Sequence, residues 1–318
     1  MSFEKLNGVK VAVIGDFCLD TYWYADMTKS VLSRETPHYP LPVCREVMSP
    51  GGAGNVAANI SALRIEKVYA IGVRGDDWRG DCLEKVLIEN GVDTSLFVKS
   101  CGRFTNTYIK PMKYGYSGQC FESARLDFEA GGALDEKSEN EMLEKLSFVA
   151  DKVDVICVCD QMAHGCITEK VREKICELGK SGKRVIVDSR DRIALYKYVT
   201  VKPNEIEAAR ATGFENEEES AKALEKETCR PSIVTCGDRG CYVCEDGCAT
   251  LIPAFIREGE IDFCGAGDTF LSAFACFSAA GYKMADAARH ANAASCVTVH
   301  KVGTTGTASR EEIEKILG

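Results

Sequence analysis

Short runs of β-branched residues alternate with helical segments along most of this chain. Strands are predicted at residues 9–16, 67–73, 153–159, 184–187, 199–201 and 232–236, and helices at 78–90, 168–180 and 285–299. A strand buried on both faces is an unbroken apolar run, and a helix usually connects it to the next parallel strand. The alternation therefore predicts an α/β fold with a central, mostly parallel sheet flanked by helices.

Two segments interrupt this alternation. Residues 17–48 are rich in aromatic residues and prolines, and residues 104–128 contain several tyrosines and a glycine turn. Neither segment has a helical period, so we predict short, exposed strands and loops that form a small β lid over the strand ends. Because no linker or internal repeat divides the chain, residues 1–318 are predicted to form a single domain.

Composition excludes several classes of function. The formal net charge of −9 argues against a nucleic-acid partner, which requires a basic face. The amino terminus has no basic segment followed by an apolar one, and no run approaches the roughly 18 apolar residues of a membrane span. We therefore expect a cytoplasmic protein with neither a membrane nor a nucleic acid as partner.

Seventeen cysteines are scattered through the apolar segments, where a thiol behaves as a small hydrophobic group. Four of them, Cys236, Cys241, Cys244 and Cys248, have a spacing that superficially resembles an iron–sulfur or zinc site. Residues 240–247 are predicted to be a strand that runs into a turn, and residues three apart on a strand face opposite sides. Reduced structural thiols are therefore favoured, and a metal or redox role is the alternative.

The stretch from Asp262 to Phe270 places small residues and a carboxylate before an apolar run. Residues 269–280 contain no charged residue and end at Gly281, which predicts a buried helix closed by a left-handed glycine. The first N–H groups of a helix are unpaired and electropositive, and glycines at 265 and 267 let a ligand approach them. Asp268 in the first turn can then accept a proton from a bound hydroxyl. The simpler alternative is that Asp268 only caps the helix.

Three further polar sites follow predicted strands or begin helices. Residues 50–59 match a dinucleotide-binding pattern but do not follow a core strand, so we predict a helix start where Asn55 meets ligand hydroxyls. Asn204 and Glu207 can reach a hydrated magnesium ion on a nucleotide phosphate. Residues 237–240 form a glycine turn on which a nucleotide can lie. In each case, a purely local role in a turn or helix start is the alternative.

The order of these motifs resembles that of the ribokinase-like (PfkB) carbohydrate kinases. The resemblance rests on four segments that span nearly the whole chain: Gly51–Asn55, Lys202–Glu207, Val234–Gly237 and Gly265–Thr269. A closer resemblance, to the kinase domain of bacterial D-glycero-D-manno-heptose 7-phosphate kinases, rests on Gly15–Tyr24, Leu32–Pro37 and Arg125–Glu129.

The resemblance implies a role for each matching residue. Asp268 is the implied catalytic base, beside an anion hole formed by the N–H groups of Gly265, Ala266 and Gly267. The residues implied to bind ATP and magnesium are Asn204, Glu207, Thr235, Gly237, Gly240 and Asn292. Those implied to hold the sugar hydroxyls are Asp16, Asp20, Gly52 and Asn55, and candidates for a phosphate already on the sugar are Lys110, Arg103 and Arg125. Asp262 is implied to bind a potassium ion.

The chain departs from the family pattern at Phe263 and Cys264, where relatives usually have two threonines.

The predicted function is ATP-dependent transfer of a phosphoryl group to a hydroxyl of a sugar or sugar phosphate, with a heptose 7-phosphate-like acceptor favoured. A kinase for another sugar, a ketohexose phosphate or a nucleoside is one alternative. A non-catalytic sugar or nucleotide sensor is another. We also expect a homodimer formed through the lid.

Overall fold

Residues 3–303 and 305–318, the part of the chain that the computed structural model describes, form fifteen strands and nine α-helices. The strands are β1 (Lys10–Gly15), β2 (Phe17–Asp26), β3 (Val43–Gly52), β4 (Lys67–Ile71), β5 (Val73–Gly75), β6 (Val98–Ser100), β7 (Thr107–Tyr114), β8 (Cys120–Glu122), β9 (Leu126–Phe128), β10 (Val155–Asp160), β11 (Val185–Ser189), β12 (Thr200–Val201), β13 (Ser232–Thr235), β14 (Cys241–Glu245) and β15 (Cys248–Ile252). The helices are α1 (Ala53–Ala62), α2 (Trp78–Glu89), α3 (Glu136–Ala150), α4 (Glu169–Lys180), α5 (Glu205–Thr212), α6 (Glu217–Thr228), α7 (Ala266–Ala279), α8 (Met284–Thr298) and α9 (Arg310–Leu317).

Eight strands form the main sheet in the order β15-β14-β13-β12-β11-β10-β1-β4. Neighbouring strands from β4 to β13 are parallel, and β14 and β15 are antiparallel additions at one edge. The predicted central, mostly parallel sheet flanked by helices is therefore confirmed. Because parallel strands end at one edge, the residues that follow β1, β10, β11, β12 and β13 lie near one another.

Strand β1 shows why the sequence contains unbroken apolar runs. Val11 and Val13 belong to the hydrophobic core that includes residues of α1, α7 and α8, whereas Ala12 and Ile14 belong to the core that includes residues of α3 and α4. All four side chains are inaccessible to solvent. Alternate residues of a strand point to opposite faces, so a strand covered by helices on both sides must be apolar at every position.

A second sheet contains strands from both segments predicted to form the lid. Its order is β3-β2-β7-β8, with β9 also paired to β7. The expectation of only short, exposed strands at residues 17–48 is wrong for β2, which is ten residues long and buried from Phe17 to Thr21. This half of β2 continues from β1, and the Phe17 ring packs against Phe97 with centroids 4.8 Å apart. That this sheet acts as a lid within a single domain stays a prediction.

The strand predicted at residues 67–73 ends at Ile71. A Cβ on Gly72 would lie 2.5 Å from the ring of Phe17, so a side chain larger than hydrogen does not fit beside this ring. Residues 73–75 instead pair with β6 in a separate two-stranded sheet.

In the described part of the chain, no helix combines the length and the apolar surface needed to cross a lipid bilayer.

Candidate active site

Helix α7 begins at a glycine turn beside the ends of the parallel strands. Gly265 adopts a left-handed backbone (φ +78°), and the helix runs from Ala266 with residues 269–278 buried. The helix therefore starts three residues before the predicted Thr269, while the predicted left-handed glycine at 281 is confirmed (φ +83°). Asp268 lies in the first turn, as expected.

The three predicted anion-hole amides differ in availability. The N–H groups of Gly265 and Gly267 have no protein acceptor among residues 3–303 and 305–318, but the N–H of Ala266 donates to the carbonyl of Phe263 at 3.1 Å. The prediction for Ala266 is therefore wrong in this conformation, because the turn that starts the helix uses its amide. Within the described residues, two N–H groups at the positive end of the helix dipole are thus available to an anion.

The carboxylate of Asp268 accepts a hydrogen bond from Nδ2 of Asn55 at 2.7 Å. Burial is the main cause that raises the pKa of Asp268 to about 6, and the negative charge of Asp188 acts in the same direction. The Asn55 hydrogen bond and the Lys202 ammonium both lower it. Asp268 is thus ionised near neutral pH, yet it binds a proton more readily than an exposed aspartate.

Lys202 brings a positive charge to the same place, a role that the sequence did not reveal. Its side chain is buried, and its Nζ lies 3.0 Å from Oδ2 of Asp188. A Cβ built on Gly267 would lie 3.8 Å from this Nζ, so the ammonium faces the start of α7. The sequence did contain a sign of this role, because Lys202 directly follows a core strand. It also belongs to the motif in which only Asn204 and Glu207 were predicted to bind a ligand.

A cavity of about 350 Å³ connects these groups. Its walls include most of the residues predicted to bind the nucleotide or to carry the chemistry: Asn204, Glu207, Thr235, Gly237, Gly240, Ala266, Gly267, Asp268 and Asn292. Asp188, Lys202 and Phe263 also line it. The ends of β11, β12 and β13 supply one wall, and the start of α7 supplies another.

Asn204 and Glu207 form a reciprocal cap at the start of α5. Oδ1 of Asn204 accepts from the N–H of Glu207 at 2.8 Å, and Oε2 of Glu207 accepts from the N–H of Asn204 at 2.9 Å. Both side chains therefore cap the start of α5, which was the local alternative, and both also line the cavity. Burial raises the pKa of Glu207, which marks a carboxylate that lacks full solvation.

The remaining predicted nucleotide residues lie around the ends of β13, β14 and β15, with Asn292 on α8. Nδ2 of Asn292 donates to the carbonyls of Ile252 and Pro253, so its N–H groups already hold the end of β15. Gly240 has a positive φ of +99°, and a Cβ there would collide with the Ile252 carbonyl at 2.1 Å. Oγ1 of Thr235 lies 3.4 Å from the carbonyl of Pro203.

Asp16 and Gly52, which were predicted to contact sugar hydroxyls, both make close contacts within the protein. The buried carboxylate of Asp16 accepts three backbone N–H groups, from Gln161, Met162 and Cys166, at 2.8–2.9 Å. Gly52 has a φ of +55°, and a Cβ there would lie 2.5 Å from the Asp16 carbonyl. The Asp16 carboxylate therefore holds the loop after β10, and Gly52 lets the chain turn into α1. Neither residue lines the described cavity, and their contact with sugar hydroxyls stays a prediction.

Asp20 and Lys110 form a buried pair between β2 and β7. Nζ of Lys110 lies 3.4 Å from Oδ2 of Asp20 and 3.1 Å from the hydroxyl of Tyr22. Burial lowers the pKa of Lys110, but Asp20 and Tyr22 outweigh burial and raise it above its ordinary value. Lys110 is therefore a charged but already paired cation in this conformation.

The two arginine candidates for a substrate phosphate have different partners. Arg125 makes two 2.6 Å hydrogen bonds to the carboxylate of Asp127, so its planar edge is occupied in this conformation and its contact with a substrate phosphate stays a prediction. Nη2 of Arg103 donates to the carbonyl of His164 at 2.8 Å. Its Nη1 is buried without a hydrogen-bond partner in the described part of the chain.

The predicted potassium ligand Asp262 and the cysteine group, for which a metal site was the alternative, both lie outside the cavity. The carboxylate of Asp262 accepts N–H groups from Cys264 and Gly303 at 3.0 Å each, and so joins the loop before α7 to the loop after α8. Cys241 and Cys244 lie on β14, and both are buried. Among residues 3–303 and 305–318, no three His, Cys, Asp or Glu side chains are grouped so as to hold a metal ion.

The main sheet, the second sheet and the helix-terminal cavity define an α/β protein of the ribokinase-like class. Solved structures support this fold: phosphofructokinase-2 from Escherichia coli in complex with substrates and products superposes with a TM-score of 0.76, 20% identity and coverage of 97% of this chain and 98% of that one. Ribokinase from Thermotoga maritima gives a TM-score of 0.70 at 20% identity, over 97% and 99% of the two chains.

The chain belongs to the pfkB family of carbohydrate kinases, because the family model described as pfkB family carbohydrate kinase matches residues 10–311. Among curated proteins, it is 32% identical over 317 residues to the bifunctional protein HldE of Bradyrhizobium sp.. It is 33% identical over 327 residues to the bifunctional protein HldE of Hyphomonas neptunium. The alignments cover 96% and 99% of this chain but 63% and 64% of those relatives, so the chain spans less than two thirds of their length.

Proposed function

We propose that this protein transfers the γ-phosphoryl group of ATP to a hydroxyl of a sugar or sugar phosphate. The observation that carries the proposal is the arrangement at the start of α7. An ionisable carboxylate (Asp268), the amide of Gly267 and a buried ammonium (Lys202) line one cavity of about 350 Å³. Gly265 adjoins them at the start of the helix, and neither glycine amide has an acceptor among residues 3–303 and 305–318. Phosphoryl transfer requires mainly alignment and neutralisation of charge, which these groups supply.

Each group has a distinct role in this mechanism. Asp268 orients the acceptor hydroxyl and takes its proton as the bond to phosphorus forms. The amides of Gly265 and Gly267 stabilise negative charge on the transferred group without reorganisation, because the helix holds them in place. Lys202 adds a full positive charge on the same side, and its pairing with Asp188 fixes its position.

Asn204 and Glu207 fit a magnesium ion that is held through water and phosphate. Since no three acidic or histidine ligands are grouped in the described chain, the protein alone does not complete a metal site. That donor set suits Mg²⁺, which keeps water and phosphate ligands when it binds a nucleotide. When bound, the ion neutralises charge on the phosphate oxygens. Asp262 is the proposed ligand of a potassium ion. Each of its carboxylate oxygens accepts one backbone N–H group and retains a lone pair that can bind the ion.

The favoured acceptor is a heptose 7-phosphate-like sugar. The support is the motif resemblance of the amino-terminal half, and Arg103 is a candidate for the phosphate of this sugar. An arginine edge suits a phosphate group. Lys110 can join it only by exchanging its contact with Asp20. Another sugar, a ketohexose phosphate and a nucleoside are the alternative acceptors.

An acceptor screen with a matched pair of variants tests the proposal. ATP consumption is measured with heptose phosphates, hexose phosphates, nucleosides and free sugars. Asp268→Asn is compared with Asp286→Asn, which removes the same charge from the first turn of α8, outside the cavity. We expect Asp268→Asn to lose turnover by a factor of about 10² or more while ATP still binds. Near-normal turnover in Asp268→Asn would refute the base assignment. ATP binding without turnover on any acceptor would favour a sensor, for which Phe263 and Cys264 are the motivating departures.

We further propose a homodimer formed through the second sheet, which acts as the lid. Apolar side chains of β3, β8 and β9 are exposed on it, including Val43, Val47, Phe121 and Leu126. Exposed apolar side chains on one sheet mark an interaction surface when they form a patch. Light scattering of the wild type and of Phe121→Glu tests the dimer, and a wild-type monomer at micromolar concentration would exclude it.

The seventeen free thiols support a reducing, cytoplasmic location.

A further inference from the structure

Four polar side chains form a continuous hydrogen-bonded chain between α1 and α7. Oγ1 of Thr269 lies 3.1 Å from Oδ1 of Asn59, Nδ2 of Asn59 lies 3.2 Å from Oδ1 of Asn55, and Nδ2 of Asn55 lies 2.7 Å from Oδ2 of Asp268. Asn55 and Asn59 are one helical turn apart, and each is 2% exposed. The chain therefore begins and ends on adjacent residues of α7 and passes through the interior of the protein.

The donors and acceptors in this chain permit one arrangement. An ionised Asp268 can only accept, so Asn55 must present its NH₂ group to it and its Oδ1 to Asn59. Asn59 must then present its NH₂ group to Asn55, and its Oδ1 is left to accept the Thr269 hydroxyl. The second N–H of Asn59 donates to the backbone carbonyl of Asn55 at 3.0 Å, so both of its hydrogens are used. A flip of either amide would place two acceptors or two donors face to face.

We propose that Asn59 is a positioning residue that fixes the Asn55 amide and, through it, the aim of the Asp268 carboxylate at the acceptor hydroxyl. The inference rests on the proposed role of Asp268 as the base. Asn59 does not line the cavity, so its influence passes through Asn55. Without Asn59, the amide of Asn55 can rotate, and its oxygen can turn towards the carboxylate.

Asn59→Leu tests this role because it keeps the size of the side chain and removes both polar groups. The Thr269 hydroxyl retains the carbonyl of Gly265 at 3.1 Å as an alternative acceptor, which limits the loss of stability. We expect turnover to fall about tenfold to a hundredfold, with the KM for ATP changed about twofold or less. The acid limb of the kcat profile should move to higher pH, because the Asn55 hydrogen bond favours the ionised carboxylate.

Ser272→Ala is the matched control. Ser272 is buried at the same helix interface, and its hydroxyl lies 2.9 Å from the backbone carbonyl of Val56 and 2.7 Å from the backbone carbonyl of Asp268. It has no hydrogen bond to the Asp268 carboxylate, so it shares the packing of this interface but not the fixed amide. The other charged groups that face Asp268, namely Asp188, Lys202 and Asp20, are unchanged in both variants. A shift of the acid limb in Asn59→Leu alone therefore reports the loss of the fixed amide.

A double variant separates positioning from packing. In an Asn55→Leu background, Asn59→Leu should cost little further turnover, since its effect passes through Asn55. An undiminished effect there, or an Asn59→Leu profile identical to that of Ser272→Ala, would overturn the inference. Should Asn59→Leu fail to fold, Asn59→Ser provides the same comparison with a side chain too short to reach Asn55 Oδ1. If Asp268→Asn retains turnover, the proposed function fails; if Asp268→Asn is inactive and Asn59→Leu resembles the control, only this inference fails.

Discussion

Lys202→Met is expected to damage both stability and turnover, and the two effects can be separated. The ammonium of Lys202 is buried 3.0 Å from the carboxylate of Asp188, so its removal leaves a buried, uncompensated negative charge. Breaking such a pair typically costs about 3–5 kcal/mol of stability. Because the same ammonium lies beside Gly267 at the cavity, we expect kcat to fall by a factor of about 10²–10³, as when one preorganised donor is removed from an active site.

The measurements are urea unfolding followed by tryptophan fluorescence and steady-state turnover of the folded fraction. The control is the double variant Lys202→Met/Asp188→Leu, which removes both charges. Replacing a whole buried pair by apolar residues is often neutral or stabilising, so the unfolding free energy should return close to the wild-type value. Turnover should remain low, because the cavity still lacks its cation. Recovery of turnover together with stability would refute the reasoning and reduce Lys202 to a counter-charge for Asp188.

Three further outcomes follow from the geometry. With the pKa of Asp268 near 6, kcat should fall with decreasing pH through about 6 and reach about a tenth of its plateau at pH 5, and a profile flat down to pH 5 would contradict the base assignment. Burial lowers the pKa of His290, so the unfolded chain binds more protons and stability should decline as the pH falls below about 6.5; His290→Phe should flatten this decline in pH-dependent thermal unfolding. Gly265→Ala should lower stability and turnover more than Gly281→Ala, because both have left-handed backbones but only a Cβ at 265 meets Asn55 Nδ2, at 2.7 Å; equal effects would show that backbone conformation alone matters.

Local patterns predicted the elements that carry the chemistry. The apolar run at residues 9–16 indicated a strand covered on both faces, and the uncharged run after Asp268 indicated a buried helix. Both signals are strong because burial on all sides leaves no position for a charged residue. Helices α3 and α9 were not predicted, since their exposed faces are polar and their apolar residues are few. The length of β2 was missed because its burial depends on Phe97, which is distant in sequence.

The predicted site residues differ in their surroundings, which only the folded structure shows. The sequence singled out glycines and carboxylates as site candidates, but it could not distinguish a carboxylate that faces the cavity from one that accepts several backbone N–H groups. Asp268 and Asp16 illustrate the difference: the first has one side-chain donor, and the second has three backbone donors. Both are aspartates beside glycines at the end of a secondary-structure element, so only their neighbours separate them.

By itself, the sequence determined that the chain forms an α/β fold and that an electropositive helix start adjoins an acidic residue, because both depend on the character of neighbouring residues. The tertiary structure alone decided that Lys202 joins this helix start and that Asn55 and Asn59 hold the carboxylate 213 residues away from Asn55. Such contacts depend on which strands become neighbours in the sheet and on how closely α1 packs against α7. These are properties of the whole folded chain, and no local pattern of residues encodes them.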